Sequence, residues 1–235
     1  MAPNMSWGRM AVSVASGADV TVNVALQPAR TVSGRIVLPQ GSATAPDLSR
    51  ARVSIMNRDG SGSTGTVSTD GQFIVTGVLP DSYRFSVSVP ASAPGAPSWF
   101  VKSASIGGRD VSDAFVDITD DIATASIVLT DRVSEVSGSI TDGAGRPTPE
   151  YVIVIFPSDV SLWTWQTRRI QQVRPSHDGK FLFKNLPAGD YLLGAVTDVE
   201  QYEWFEPKFL TELVGGSVKL TLADGEKKSQ DIRLR

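Results

Sequence analysis

The sequence predicts an all-β protein built from two tandem β-sandwich domains of the transthyretin-like or immunoglobulin-like kind, with one short helix in the second. Three observations predict it. A phrase of turns and strands occurs twice, short apolar strands are separated by turn residues roughly every 8–12 positions, and a single stretch has a helical pattern. The 21 Gly and 14 Pro of the 235 residues are scattered along the chain, as expected where turns are frequent.

The repeated phrase consists of a turn, a strand, a second turn and a second strand. Residues 178–191 begin with Asp-Gly, continue through Phe181 and Phe183, and reach Tyr191 after Leu-Pro-Ala-Gly-Asp. Asp-Gly favours a tight turn, and the alternating Phe residues indicate a strand with one buried face. Residues 70–83 carry the same phrase, and in both copies the Asp precedes the Tyr by 13 positions. The chain is therefore a tandem repeat.

Each repeat begins with a strand of related sequence. The first is predicted to span residues 31–131 and starts with Val-Ser-Gly-Arg-Ile at 32–36, and the second spans 132–235 and starts with Val-Ser-Gly-Ser-Ile at 136–140. In the second, the continuous apolar run at 151–156 indicates a strand that is buried on both faces. The helix is predicted at 206–213, because a Pro opens it, apolar residues share one face and Gly-Gly follows it.

Residues 1–30 lie outside these two repeats. Around the turn Gly17-Ala18-Asp19, apolar residues alternate with polar ones and predict a hairpin. Residues 220–234 carry the same pattern, and 116–129 carry a looser version, so each repeat is expected to end in such a hairpin. We interpret 1–30 as the terminal hairpin of a preceding repeat, or as an N-terminal extension that docks on the first one. An unpaired strand edge there predicts self-association.

Composition excludes several classes of function. The net charge is −3 and Lys and Arg form no run, which argues against nucleic-acid binding. No apolar stretch reaches the roughly 18 residues of a membrane span. Without Cys, neither disulfides nor thiolate metal sites can form. Residues 1–10 do not resemble a signal peptide. We expect a piece of a longer bacterial protein that is extracellular or periplasmic.

The Val-Ser-Gly-x-Ile strand and the Asp-Gly-x-Phe … Leu-Pro-x-Gly-x-Tyr phrase together resemble the carboxypeptidase regulatory-like domain family, over residues 31–235. The first copy of the phrase departs from the pattern at Ser82. The resemblance implies a transthyretin-like (prealbumin-like) sandwich. Residues 107–111 and 206–210 are similar to phrases in soil-bacterial surface proteins that carry tandem arrays of such modules. The family implies accessory, spacer or binding roles and supplies no catalytic motif, so we expect a non-catalytic module pair for spacing or for binding a glycan or protein.

Aromatic residues lie beside charged ones in two stretches of the second repeat, as in many sugar-binding sites, where rings stack on the apolar face of the sugar. The alternative is that these aromatic residues pack the helix against the sandwich. The candidate ligand-binding residues are Trp163, Trp165, Arg168, Tyr202 and Trp204.

The alternative function is a hydrolase that acts on a lactone, ester or glycosidic bond through loop carboxylates. Its candidate catalytic residues are Asp159, His177, Glu203 and Glu206. No cofactor is expected apart from a possible calcium ion, which clustered carboxylates can bind. The alternative is that these carboxylates form the solvated face of a strand. The calcium candidates are Asp110, Asp113, Asp117, Asp120 and Asp121.

Overall fold

A computed structural model of the chain describes residues 5–17, 19–39, 45–91, 93–94 and 96–234. Ala18, at the predicted N-terminal turn, lies outside these ranges. The described residues form β-strands, one α-helix and three short 3₁₀ helices at Leu48–Arg50, Val160–Leu162 and Glu203–Phe205. The predicted all-β class with one helix is confirmed. The chain separates into two compact units, unit 1 (Met1–Leu129) and unit 2 (Thr130–Arg235).

Unit 1 begins with a short strand pair and continues into a sandwich. Its strands are β1 (Ser6–Trp7), β2 (Gln27–Pro28), β3 (Arg30–Val37), β4 (Arg52–Met56), β5 (Gly62–Val67), β6 (Gln72–Val78), β7 (Asp81–Ser88), β8 (Phe100–Ile106), β9 (Arg109–Asp110), β10 (Val116–Ile118) and β11 (Ile122–Thr130). The sandwich strands follow the order β10-β7-β4-β5-β6-β3-β11-β8-β9. Strand β5 pairs with both β4 and β6 and so connects the two halves. Val53 and Phe85 from one half and Val32, Phe73 and Ile127 from the other share one buried core.

Unit 2 consists of two sheets and the helix. Its elements are β12 (Glu135–Thr141), β13 (Val152–Pro157), β14 (Gln171–Val173), β15 (Lys180–Lys184), β16 (Gly189–Val196), α1 (Pro207–Val214), β17 (Val218–Leu222), β18 (Lys227–Ser229) and β19 (Ile232–Arg233). One sheet has the order β15-β12-β18, with β19 also on β12, and the other has the order β14-β13-β16-β17. Val136 and Phe183 from the first sheet pack with Ile155, Leu193 and Leu222 from the second, which makes a sandwich.

Strand β13 is buried along its whole length, as its continuous apolar sequence predicts. Ile153 and Ile155 point into the core between the sheets. Val152, Val154 and Phe156 point the other way, into a second core formed with Trp163, Ile170 and Leu210 of α1. The helix and the loop before β14 therefore cover the outer face of this sheet, and they carry the aromatic residues described below.

The paired strands at the end of each repeat do not form hairpins, and that prediction is wrong. In unit 2, β17 pairs antiparallel with β16, whereas β18 and β19 pair parallel with β12 in the opposite sheet. In unit 1, β10 pairs with β7 and β11 pairs parallel with β3. Alternating apolar residues show which face of a strand is buried, but not which strand it bonds to. We call these strands the closing pair of each unit. Its members lie in different sheets in unit 2, and in different halves of the nine-stranded order in unit 1.

The last strand crosses the first strand of its unit at the Gly of the Val-Ser-Gly-x-Ile motif. A Cβ on Gly138 would lie 2.7 Å from the carbonyl carbon of Gln230 and still closer to its oxygen. A Cβ on Gly34 would lie 2.6 Å from the carbonyl carbon of Ala125. The motif therefore contains Gly because a neighbouring backbone occupies the space of a side chain.

The Asp-Gly turns of the two repeats have the same structure. In unit 2 the Ser176 hydroxyl donates to Asp178 Oδ1 at 2.6 Å and to the Lys180 carbonyl at 3.0 Å. The equivalent Ser68 donates to Asp70 and to the Gln72 carbonyl. Gly179 has a φ of +75°, and its carbonyl accepts from the Ile140 N–H at 2.9 Å. The turn thus connects to the first strand, which explains why the phrase recurs.

Acid titration should report on this turn. The hydrogen bond and ion pair from Lys180, whose Nζ lies 2.6 Å from Asp178 Oδ2, together with the Ser176 hydroxyl, lower the pKa of Asp178 from 3.8 to about 2. Because the folded pKa is the lower one, the stabilisation is present above about pH 4 and is lost as the pH falls toward 2. We expect carboxyl NMR to give a pKa near 2, and Lys180→Ala to raise it.

Lys184→Ala is the matched control, because Lys184 lies exposed on the same strand, β15. It should leave the pKa of Asp178 unchanged. A pKa of Asp178 at the ordinary 3.8 in the unmodified protein would contradict the structure of the turn.

Candidate ligand-binding platform

Two loops of unit 2 carry the aromatic residues. The first follows β13 and contains the 3₁₀ helix Val160–Leu162, which Asp159 caps by accepting from the Ser161 N–H at 2.9 Å. The second follows β16 and contains the 3₁₀ helix Glu203–Phe205, directly before α1. In the second loop, Glu203 Oε2 accepts from the Glu200 N–H at 2.8 Å and holds the turn closed. Both loops lie at the sheet face that α1 covers.

Four rings from these loops form a closed circuit, which we call the aromatic platform. The Trp165 ring lies 5.6 Å from Tyr202 and 5.5 Å from Phe205 between centroids. The Trp204 ring lies 5.8 Å from each of the same two rings. All four pairs are tilted, which is a favourable arrangement for aromatic quadrupoles. Two separate loops are thereby held together by ring contacts.

The platform is partly open to solvent. Tyr202 is 43% exposed and the other three rings are half-buried. Trp204 and Phe205 also pack against the core beneath α1. Tyr202 has a φ of +71° and Gln166, next to Trp165, has a φ of +53°. Such left-handed conformations are uncommon for residues other than Gly and often mark functional sites. The rings therefore both pack the helix and present an aromatic surface, and the two predicted roles are not exclusive.

Trp163 does not belong to this surface. It is only 9% exposed, its indole N–H donates to the Pro157 carbonyl at 2.8 Å, and its ring meets Phe156 edge-on at 5.7 Å. The predicted ligand contact of Trp163 is therefore corrected to a core-packing role. Arg168 is half-buried in the same loop. Phe205 is the platform member that sequence reasoning missed, because a Phe beside a Trp gives no signal of which ring faces solvent.

The predicted catalytic residues are not joined to one another. Within the described residues, no hydrogen bond or ion pair connects Asp159, His177, Glu203 and Glu206. Asp159 and Glu203 accept local backbone N–H groups, Glu206 is exposed before α1, and His177 is exposed in the Asp-Gly turn. The Ser161 hydroxyl and N–H lower the pKa of Asp159 below its ordinary value, which keeps this group ionised and unsuited to act as a general acid.

The predicted calcium ligands hold separate local contacts. Asp110 accepts from the Ser112 N–H at 2.8 Å, Asp117 accepts from the Ser82 hydroxyl, and Asp121 accepts from the Thr31 N–H at 2.8 Å. Asp120 accepts from Thr119, its chain neighbour, and Asp113 is half-buried. Across the part of the chain that the structure describes, no group of three or more Asp, Glu, His or Cys has the geometry to hold a metal ion. The five carboxylates were close in sequence but serve different strands and turns.

Two shallow grooves lie elsewhere. A groove of about 480 Å³ in unit 2 has a lining that includes Asp190, Lys219, Thr221 and Lys228. Its polar lining is internally bonded, since Thr221 donates to Asp190 at 2.6 Å and Lys228 donates to the Thr221 carbonyl at 2.7 Å. The other, of about 410 Å³, lies beside β3 in unit 1. Neither groove contains a predicted site residue.

Among the described helices, none has the length and apolar character to cross a membrane.

Comparison with known proteins gives no family. No family model matches the chain, and no curated protein matches it. Among solved structures it is similar to the TIE protein of Bacillus anthracis, with 12% identity and a TM-score of 0.26, over 95% of this chain and 40% of that one. A streptococcal ancillary pilin has 13% identity and a TM-score of 0.31, over 87% of this chain and 68% of the pilin. GBS52, the minor pilin of Streptococcus agalactiae, has 10% identity and a TM-score of 0.33, over 87% and 94%. The chain spans 40% of the length of the TIE protein.

Proposed function

We propose that the chain is a non-catalytic pair of β-sandwich modules from an exported bacterial protein, and that unit 2 binds a glycan through the aromatic platform. The observation that carries the proposal is the closed circuit of Trp165, Tyr202, Trp204 and Phe205, with one ring 43% exposed. Unit 1 then acts as a spacer of the same fold. The resemblance to carboxypeptidase regulatory-like modules supports the same class of role.

The chemistry of the platform suits a sugar. Aromatic rings stack on the C–H face of a pyranose, and nearby carboxylates accept from its hydroxyls. Glu206 is exposed beside the rings in sequence, and Tyr202 supplies a phenolic hydroxyl. The ring contacts of Tyr202 with Trp165 and Trp204 hold its ring in place before a ligand arrives, which reduces the entropy lost on binding. The hydrolase alternative receives no such support from the contacts of its four candidates.

The test is a glycan array with the full chain, followed by calorimetric titration of each hit. We expect Tyr202→Ala and Trp165→Ala each to weaken binding about tenfold or more, the loss of one stacked ring. The control is Phe115→Ala, which removes a half-buried ring of unit 1 that lies 4.4 Å from the Arg58 guanidinium. It should leave the affinity unchanged. An array without a hit, or equal losses in all three variants, would overturn the glycan proposal and leave the spacer role.

A further inference from the structure

The N-terminal arm, residues 8–26, leaves an alternating apolar pattern exposed. Its base is paired, with Ser6 opposite Pro28 and Trp7 opposite Gln27, and the Ala29 N–H donates to the Met5 carbonyl at 2.8 Å. Beyond the base, none of the described arm residues belongs to a strand. Seven of its apolar side chains are between 41% and 70% exposed. They are Met10, Val12, Val14, Val20, Val22, Val24 and Leu26. Exposed apolar side chains on a segment that belongs to no sheet offer a surface for strand pairing.

The arm has the spacing of the closing pair of unit 2. Val12 and Val14 precede Gly17 as Leu220 and Leu222 precede Gly225, and Val24 and Leu26 follow Gly17 as Ile232 and Leu234 follow Gly225. In unit 2, the side chains of Leu220, Leu222 and Ile232 are buried in the core. The two segments therefore match at these four apolar positions, which pack against the core in unit 2.

One turn residue of the arm, Gly17, has the same backbone conformation as its counterpart in the closing pair of unit 2. Gly17 has a φ of +77° and Gly225 has a φ of +73°, so the same turn residue adopts the same left-handed conformation in both. Further along, Asn23 corresponds to Asp231, which accepts from the Ser139 N–H at 2.7 Å and from its hydroxyl at 2.9 Å. The side-chain amide oxygen of Asn23 can accept the same hydrogen bonds.

We propose that the arm is a closing pair that inserts into an incomplete β-sandwich, one of the same kind as units 1 and 2 that lacks its own closing pair. The segment around Val12 and Val14 adds antiparallel to one sheet, in the place of β17. The segment around Val24 adds parallel to the first strand of the other sheet, in the place of β18 and β19. The partner is thus a sandwich with one strand missing from each of its two sheets.

The proposal also specifies the sequence of the partner. Val22 of the arm corresponds to both Gln230 and Ala125, whose carbonyl groups lie against Gly138 and Gly34. The first strand of the partner must therefore carry Gly at this crossing, as in Val-Ser-Gly-x-Ile. A second copy of this chain is not the fitting occupant, because β10–β11 and β17–β19 already fill both of its units. The proposal is independent of the glycan platform.

The first test is a graft in the full chain. Residues 10–26 replace residues 218–234, which keeps the register, and a control graft of residues 9–25 shifts every side chain by one position. We expect unit 2 of the in-register chimera to unfold cooperatively, as followed by urea denaturation with tryptophan fluorescence, and the shifted chimera to lose that transition. Loss of the transition in both chimeras would show that the arm cannot close a sandwich.

The second test uses residues 130–216 as the probe, which is unit 2 without its closing pair. The full chain is expected to form a one-to-one complex with this fragment when the two are co-expressed, measured by size-exclusion chromatography with light scattering. Val12→Asp with Val24→Asp in the full chain should weaken the complex at least tenfold, since both residues would enter the core of the partner. Ser13→Asp with Thr21→Asp is the control, because these positions correspond to Thr221 and Ser229, which are exposed in unit 2. Equal binding by both double variants, or a stable dimer of the full chain alone through the arm, would overturn the proposal.

Discussion

Gly138→Ala should destabilise unit 2 by about 3 kcal/mol or more, because the added methyl meets backbone and not a side chain that can move. The new Cβ would lie 2.7 Å from the Gln230 carbonyl carbon, and the Gln230 N–H is itself bonded to the Ser137 carbonyl at 2.8 Å. Relief of the clash requires β12 to separate from the closing strand. Urea denaturation followed by tryptophan fluorescence measures the loss, since Trp163, Trp165 and Trp204 all lie in unit 2.

Gly215→Ala is the matched control for this prediction. Gly215 has an ordinary helical φ of −65°, and a Cβ there meets no atom within 4 Å. We expect its free energy of unfolding to change by less than about 0.5 kcal/mol. A Gly138→Ala variant as stable as the Gly215→Ala variant would show that the last strand does not cross at Gly138.

Trp163→Ala should cost about 3–5 kcal/mol of unfolding free energy, the usual range for a large aromatic residue removed from a core. It removes the edge contact with Phe156 and leaves the Pro157 carbonyl without its indole donor. Trp165→Ala should cost about 1 kcal/mol, because that ring is half-buried and its partners are rings of the partly exposed platform.

The pair of Trp variants separates packing from binding. The two residues are two positions apart in sequence, but their variants are expected to give opposite results. Trp163→Ala should lower mainly the stability, and Trp165→Ala should lower mainly the glycan affinity. Thermal unfolding and calorimetric titration of both variants provide the comparison. A larger stability loss from Trp165→Ala than from Trp163→Ala would contradict the assignment of Trp163 to the core.

The elements that sequence reasoning located were those with local causes. The Asp-Gly turn at Asp178 is predictable because its hydrogen bonds run between residues close in the chain. The helix is predictable from Pro207 and the Gly residues after it, and it was observed at Pro207–Val214. Strand β13 is predictable from its unbroken apolar run.

The features that sequence reasoning misplaced depend on distant contacts. The closing pairs were predicted as hairpins because alternating apolar residues on both sides of a turn give the same sequence pattern in either case. In unit 2, their separation into two sheets depends on pairing with β12, about 90 positions away in sequence. The five predicted calcium carboxylates were grouped by nearness in sequence, whereas Asp117 contacts Ser82 and Asp121 contacts Thr31. Trp165 likewise contacts Tyr202 and Phe205, about 40 positions away, which its sequence neighbourhood does not indicate.

The parallel pairing of the first and last strands determines how each unit carries tension. In unit 2, Ile140 of β12 lies opposite Ile232 of β19, and in unit 1, Ile36 of β3 lies opposite Ile127 of β11. A pull on the two ends of a unit moves these neighbouring strands in opposite directions along their own length. The hydrogen bonds between them are then loaded together in shear, and none can open before the others. Such a linkage resists stretching along the line between the two ends of the unit.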